Sequence, residues 1–419
     1  MEKNYHYSIT SMVKETTVPT IESSSVVRRR LWVTRLVVLV AFLDLFMQFP
    51  VVAPYALSLM ASTTLVGVTV AMYSGTNLVG NVIAGLALDR WGRRGPVLGG
   101  LLVSAAALLG YVLAATPYQL LVARAVHGLA AASLTPGAFA IMGDAAPAGS
   151  RARVMGLSGA IIALAAVAGP AIAGVMRDRV GSEAVFSLSA ALMVVTFFVF
   201  WFLVKDETRG GHEASVVKRQ VWFGFSSVLK RTRLVVAYIA ALALTTGLGI
   251  LVTHLPLIFG VRGESAAQTG ITFSVFAVVA MVAMASPLNR ISDRYGRLAP
   301  MTVGLALVSA GMLVLGLVGN TAGAMTGMGI FGGGFGILFP AVTALVSEES
   351  EQHERGKAFG VFYAVYSLGV VIGSLLSGHL ATNLGESSGM PFIVGMIVAL
   401  AAIPVIVCFR LYRNRGHQS

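Results

Sequence analysis

Long apolar runs, each about 20 to 25 residues and each closed by a short polar or charged hinge, recur along the whole chain. Runs of that length suit bilayer-crossing helices, because hydrocarbon offers an unclosed backbone no other way to satisfy its N–H and C=O groups. Setting aside a polar head and a charged middle stretch leaves about 30 residues for each of twelve spans with its loop. The spans are predicted near 33–57, 66–88, 96–115, 119–142, 153–176, 184–204, 233–259, 268–289, 300–318, 322–346, 358–381 and 390–409.

Composition agrees with this reading: 56% of the 419 residues are hydrophobic and 11% charged, with 47 glycines, far from soluble usage. The net charge of +12 would suit nucleic acid, but the basic residues lie in the hinges between apolar runs. The lipid bilayer is the expected partner, and nucleic acid is not. Cys408 is the single cysteine, so no internal disulfide or thiolate metal cluster can form.

Residues 1–32 mix charged and hydroxyl side chains and end in Arg28, Arg29 and Arg30, with no cleavage-type small-residue motif after the first span. They are expected as a cytoplasmic tail rather than a signal peptide. Residues 33–204 are expected to form an N-terminal six-helix bundle and 233–409 a C-terminal one. Between them, 205–232 is expected as a basic cytoplasmic linker, part of it an amphipathic helix on the membrane surface, and 410–419 as a second cytoplasmic tail. Apart from Arg124 inside a span, only Arg177, Arg179 and Arg262 fall on the opposite side from the other Lys and Arg residues, which predicts both termini in the cytoplasm. The cell (inner) membrane is the expected location.

The two halves repeat each other. A fixed offset of 204, set by Asp89 onto Asp293, brings Gly92 onto Gly296, Arg93 onto Arg297, Gly128 onto Gly332, Pro136 onto Pro340 and Asp144 onto Glu348. It also brings Arg151 onto Arg355, Arg153 onto Lys357, Gly156 onto Gly360, Gly169 onto Gly373 and Gly174 onto Gly378. Shared hydrophobicity would not align glycines and loop charges, so an internal duplication is expected. The fold class is therefore an all-α membrane protein, with twelve transmembrane helices in two pseudo-symmetric bundles. An even number of spans per half relates the halves by an axis along the membrane normal and permits rocking around a central site.

The segment GLALDRWGRRG at 85–95 resembles the signature loop of the major facilitator superfamily, and NRISDRYGR at 289–297 resembles its second copy, with Asn289 where the first has Gly85. The resemblance implies the major facilitator fold and a gating loop of Gly85, Asp89, Arg90, Gly92, Arg93 and Arg94, with Asp293, Arg294, Gly296 and Arg297 in the second copy, that latches the outward-facing state. Asp89 can face the positive N-terminus of a neighbouring helix while the arginines stay in the anionic lipid interface. The bland reading is a turn that obeys the positive-inside rule. LLVARAVHGLAAAS at 120–133 is similar to the family's fourth-span arginine and glycine motif, with Arg124 and Gly128, and has His127 where the family often has glutamine. AGPAIAG at 168–174 resembles the glycine-proline motif of proton-coupled antiporters, which implies helix bending at Gly169, Pro170 and Gly174; packing alone is the other reading. FPVVAPYAL at 49–57 looks like the end of the first span in the twelve-span drug/proton antiporter branch.

Asp44 is the acidic residue that no tail, loop, linker or span end accounts for. An acid at mid-span costs about 2.5–3.5 kcal/mol on insertion scales, so it must be neutralised, paired or lining water. It lies about 13 Å from the cytoplasmic edge and Arg124 about 8 Å from the opposite one, which leaves about 9 Å of depth for a long arginine and a water to span. The resemblance implies that spans 1 and 4 both line the central cavity. Asp44 and Arg124 are thus the proton-coupling candidates, with a static ion pair as the alternative. Gln48, one turn on, is either a substrate contact or a local hydrogen-bond partner, and His127 either a second titrating group or a packing residue. Gln48, His127, Phe46, Tyr363 and Tyr366 are expected to line the substrate cavity, the aromatic ones as walls for a greasy ligand. The Asn77, Asn81, Gly85 and Asp89 stripe is expected to pack against a neighbouring helix.

No nucleophile-and-base set, metal-ligand cluster or phosphate loop stands out; GGGFG at 332–336 lacks the lysine and Ser/Thr of an ATP site. No catalytic residue, metal or cofactor is expected. The leading expectation is a monomeric, proton-coupled antiporter that exports a small amphipathic molecule by alternating access. The alternatives are an uptake or facilitative carrier for a nutrient, metal ion or metal chelate, and a non-transporting receptor or scaffold.

Overall fold

The structure, a computed structural model, describes residues 24–147, 149–205, 231–286, 296–351 and 354–416. Most of the 1–32 tail, most of the 205–232 linker, and Asp293 and Arg294 of the second gating loop lie outside the described residues. Among those described there are fourteen helices and no strand. They are α1 (Ser24–Met47), α2 (Val52–Ser58), α3 (Thr63–Arg90), α4 (Arg94–Val112), α5 (Pro117–Ala131), α6 (Leu134–Ala145), α7 (Arg151–Val180) and α8 (Ser182–Leu203), then α9 (Thr232–Val261), α10 (Ala266–Ala285), α11 (Leu298–Leu317), α12 (Thr321–Glu348), α13 (Arg355–Leu384) and α14 (Met390–Gly416). Helix α1 begins within the stretch expected as a tail, and α14 continues into the one expected after residue 409.

Ten segments are long and apolar enough to cross a bilayer, α5 and α6 together forming one of them, and the α1–α2 pair makes an eleventh if it is one span. That pair is bent by 51°. The break has a local cause: Pro50 has no N–H to offer and disfavours helical backbone at Phe49 before it, whereas Pro54 falls in the first turn of α2, where no donor is needed. Helix α3, at 28 residues, has the length to cross. Its hydroxyls, Asn77 and Asn81 make it less apolar than the others because that side faces a cavity rather than lipid.

Packing follows the sequence repeat. In the first half α1 packs on α6, α7 and α8, α3 on α5, and α4 on α5 and α8; in the second, α9 packs on α12, α13 and α14, α10 on α12, and α11 on α12 and α14. Two apolar cores result, one almost wholly from each half. The halves meet chiefly where α3 lies against α13 and α7 against α10. The offset of 204 also recurs in geometry. Arg93 pairs with Asp144 and Arg297 with Glu348, while positive backbone φ angles occur at Gly92 and Gly296 (75° and 77°) and at Gly181 and Gly385 (95° and 89°).

Where the halves meet, the two ends of the molecule differ. At the end away from the chain termini, glycines are pressed against backbone: a Cβ on Gly67 would come within 2.5 Å of the Ser374 carbonyl, and on Gly378 within 2.6 Å of the Thr63 carbonyl. On the other seam a Cβ on Gly174 would meet the Ala266 carbonyl at 2.2 Å, and on Gly270 the Pro170 carbonyl at 2.1 Å. At the terminal end, Gly85, Gly156, Gly159, Gly356 and Gly360 have nothing within 4 Å of such an atom. The same helices are zipped at one end and parted at the other.

Two polar clasps hold the zipped end. The Asp178 carboxylate accepts the backbone N–H groups of Ala266 and Ala267, both at 2.8 Å, so an acid at the end of α7 caps the N-terminus of α10. On the other seam the Thr382 hydroxyl lies 2.6 Å from that of Thr63 and 2.7 Å from that of Thr64. Thr382 and Thr63 are the offset partners of Asp178 and Ala267, so one device is built twice. A carboxylate at a helix N-terminus contributes about 0.3–1 kcal/mol. Asp178→Ala is accordingly expected to shift the equilibrium toward opening of this end by about two- to fivefold, read as faster labelling of a cysteine placed deep in the cavity.

Candidate functional site

The parted end opens into a cavity of about 3520 Å³ lined by both halves. Its mouth carries Arg30, Arg90, Arg94 and Lys205, and its wall includes Asp44, Gln48, Arg124, Asn77 and Asn81 from the first half and Phe276, Phe335, Phe339, Phe359, Tyr363 and Tyr366 from the second. Phe46 also lines it, stacked on Phe42 and edge-on to Phe49, and Phe49 meets Phe273 across the seam at 5.4 Å. One wall is thus polar and the other aromatic, which suits a molecule with one polar end and one greasy end.

The polar wall centres on Asp44, which is 2% exposed. A Cβ on Gly169 would come within 3.0 Å of the Phe46 Cβ, so this glycine brings α7 against the face of α1 next to Asp44. Gln48, one turn along α1, donates from Nε2 to Asp44 Oδ1 at 3.0 Å and accepts at Oε1 from Arg124 Nη1 at 2.6 Å. Arg124 further donates to the Thr69 and Val70 carbonyls at 2.7 and 3.4 Å, and its guanidinium sits over the Tyr73 and Tyr111 rings. Acid and arginine are therefore joined through an amide rather than in direct contact. Gln48 is the link, and its two-ended hydrogen bonding is what an amide can supply and a carboxylate or amine cannot.

Arg124 reaches those carbonyls because α5 lies unusually close to α3. A Cβ on Gly128 would come 2.3 Å from the Tyr73 carbonyl and 2.2 Å from the Thr76 hydroxyl. Beside it, Asn77 donates to the Gly128 carbonyl at 3.1 Å and Asn81 to Asn77 at 3.0 Å. The polar stripe of α3 thus both packs on α5 and lines the cavity. Gly128→Val is expected to cost about 1–3 kcal/mol by overpacking and to reduce transport, checked by thermal unfolding of the detergent-purified protein.

His127 is fully buried and does not line the cavity; it stands one layer behind the wall. This corrects its expected place among substrate contacts: three residues past Arg124, it lies on the face of α5 turned toward α4 and α1. Its Nδ1 lies 2.9 Å from the Tyr111 hydroxyl and its Nε2 3.2 Å from Asp44 Oδ2. Tyr73 and Tyr111, which sequence reasoning missed, complete the surroundings. For Tyr73 the available signal was a phenol well inside its span, away from the interfacial belts where tyrosines usually sit; Tyr111, in the last turn of α4, offered none.

In the gating loop, Asp89 and Arg90 end α3 at the cavity mouth, Gly92 makes the positive-φ turn, and Arg93 and Arg94 start α4. Arg93 donates to the Ala140 carbonyl at 2.7 Å and pairs with Asp144, while Arg94 donates to the Trp201 carbonyl at 2.7 Å and lies over that indole. Gly296 and Arg297 repeat the turn and the pairing. Pro170 sits within an unbroken α7, and Gly174 sets the close approach of α7 to α10. Among the described residues no cluster of three or more His, Cys, Asp or Glu side chains is arranged to hold a metal.

Comparison with known proteins agrees with this architecture. The family model described as Major Facilitator Superfamily matches residues 36–348 and 263–419. The chain is 26% identical over 390 residues to the Inner membrane transport protein YajR of Escherichia coli, covering 90% of this chain and 82% of that one. It is 24% identical to Multidrug resistance protein 1 of Bacillus subtilis (81% and 87% covered) and 26% identical to the class C Tetracycline resistance protein of Escherichia coli (81% and 86%). Among solved structures, a bacterial homologue of the lysosomal transporter Spinster, in an inward-facing and occupied conformation, superposes with a TM-score of 0.76 at 14% identity, covering 90% of this chain and 95% of that one. This chain belongs to the Major Facilitator Superfamily and is a multi-pass membrane transporter of small molecules, not an enzyme.

Proposed function

We propose that the protein is a proton-coupled exporter of an amphipathic compound, built as twelve spans in two six-helix bundles that rock about the central cavity. The count of twelve takes the α1–α2 pair and the polar α3 as one span each. The basic mouth favours a cytoplasmic position for both termini and the cavity opening, with Asp178 and Thr382 on the outer face of the cell membrane. The described conformation is then inward-open, and the protein works as a monomer because each chain holds a whole cavity.

The observation that carries this reading is a single carboxylate, Asp44, buried at the polar wall of a cavity that opens to one side only. A charge in that position is costly unless it is used, and here it is both reachable from the cavity and tied through Gln48 to Arg124, a buried arginine on another spanning helix. The resistance proteins among the relatives favour export, and the aromatic wall favours a greasy cargo over a sugar, which would call for more hydrogen-bonding side chains. The test is proton flux in reconstituted vesicles, screened against cationic dyes, siderophores and sugars. A proton signal evoked by an amphipathic dye supports the proposal; cargo movement with no proton movement, or a response confined to sugars or siderophores, contradicts it.

A further inference from the structure

His127 has no access to cargo, yet it is fixed on both sides of its ring, and those two contacts differ in kind. The Tyr111 hydroxyl meets Nδ1 at 2.9 Å. The Arg124 guanidinium lies over that phenol ring, and arginine can only donate, which favours the tautomer in which the Tyr111 oxygen turns its lone pairs toward the guanidinium and its hydrogen to Nδ1. Nε2 is left facing the carboxylate of Asp44 at 3.2 Å. That contact is off the line of a hydrogen bond: Nε2 and Asp44 Oδ2 are both buried, and neither has a hydrogen-bond partner in the structure, whereas Oδ1 is held by Gln48.

Buried polar atoms are nearly always satisfied, and a facing pair left open is a place where a small ring rotation or an added proton changes the bonding. We propose that Asp44 and His127 hold the coupled proton as a pair, and that Tyr111 is the positioning residue whose hydroxyl fixes the imidazole nitrogen turned to the carboxylate. The proposal rests on the proton-coupled reading above and deepens it. The step forms and breaks only O–H and N–H bonds. A proton from water enters at Asp44, the member that lines the cavity, resides on Oδ2 or on the imidazole once Tyr111 turns its hydroxyl to accept, and leaves to water on the other side. The groups facing the ring are Asp44 on α1, Tyr73 on α3, Tyr111 on α4 and Arg124 on its own helix. Each belongs to a different helix of the first half, so helix movement as the cavity closes changes the pair directly.

The experiment measures pH-driven transport in vesicles as a function of internal pH, each variant normalised to its own maximum. Tyr111→Phe keeps the ring and removes one buried hydrogen bond, and should move the half-maximal pH by about 0.5–1 unit. His127→Gln, which retains polarity but cannot titrate, should flatten the profile. Tyr55→Phe is the control for a merely structural effect, since its buried hydroxyl bonds the Tyr111 carbonyl at 2.8 Å, outside the pair; its profile should coincide with the wild type. Wild-type profiles in both Tyr111→Phe and His127→Gln, with coupling lost in Asp44→Asn, would overturn the pair and leave the exporter reading intact; coupling retained in Asp44→Asn would overturn that reading as well. Should the variants not insert, the wild-type protein with isotopically labelled histidine answers the question by infrared difference spectroscopy. A labelled imidazole band that changes when a transported dye is added supports the pair, and an unchanged histidine spectrum refutes it.

Discussion

Replacing Asp44 by asparagine is expected to reduce pH-driven cargo flux by about 5- to 150-fold, the range spanned by ordinary coupling free energies, while the protein still inserts and folds. Asparagine has the size of aspartate and can still accept from Gln48 at one oxygen, so the link to Arg124 survives. What it cannot do is gain and lose a proton. The flux that remains should no longer follow the pH gradient. The measurement is dye efflux from vesicles after a pH jump, compared with the same vesicles at equal pH; undiminished pH-driven flux in the variant would remove Asp44 from the mechanism.

The second large effect concerns the zipped end. Gly378→Leu should make closure of that end impossible, because a Cβ there already falls 2.6 Å from the Thr63 carbonyl and 2.8 Å from the Gly67 Cα. These are backbone atoms, which cannot turn aside as a flexible side chain would. Gly360→Leu, on the same helix but where a Cβ meets nothing within 4 Å, should leave the described conformation undisturbed and obstruct the opposite one. Both should abolish transport, and they should do so from opposite sides. In a Cys408→Ser background, a cysteine replacing Val252, which lines the cavity, reports the difference. Membrane-impermeant reagent outside the vesicle should label it faster in Gly378→Leu and more slowly in Gly360→Leu than in the parent, and equal labelling rates would contradict the two-gate account.

The fold was legible because its two signals are physical and long in range. Bilayer thickness fixes the length of each apolar run, and duplication aligns special residues such as Gly174 with Gly378 that hydrophobicity alone would scatter. Helix ends were less so: the α1–α2 break depends on how Pro50 sits in a turn, and α1 starts earlier than its apolar run because arginines are tolerated in a helix at the lipid interface. In the site, Asp44 and Arg124 stood out because an ionisable group inside a span needs a reason. Gln48 as the bridge did not, since depth along two helices says nothing of which side chain fills the gap. The roles of Tyr111 and Tyr73 were not legible for the same reason, as they come from α5 packing on α3 at Gly128 and on α4 at Gly110. The clasp of Asp178 on α10 was hidden by its place at a span end, where an acid looks ordinary.

The central claim is that the protonation of Asp44 and the position of the gate change together. Infrared titration of the Asp44 carboxyl band, assigned by its loss in Asp44→Asn, tests it in two fixed conformations. One is held closed at the zipped end by oxidation of a Thr63→Cys and Thr382→Cys pair, whose parent hydroxyls lie 2.6 Å apart, and the other is held open there by Gly378→Leu. The account predicts that at one pH the two forms differ, the carboxyl ionised in one and protonated in the other. The same band, titrating identically in both, would contradict it.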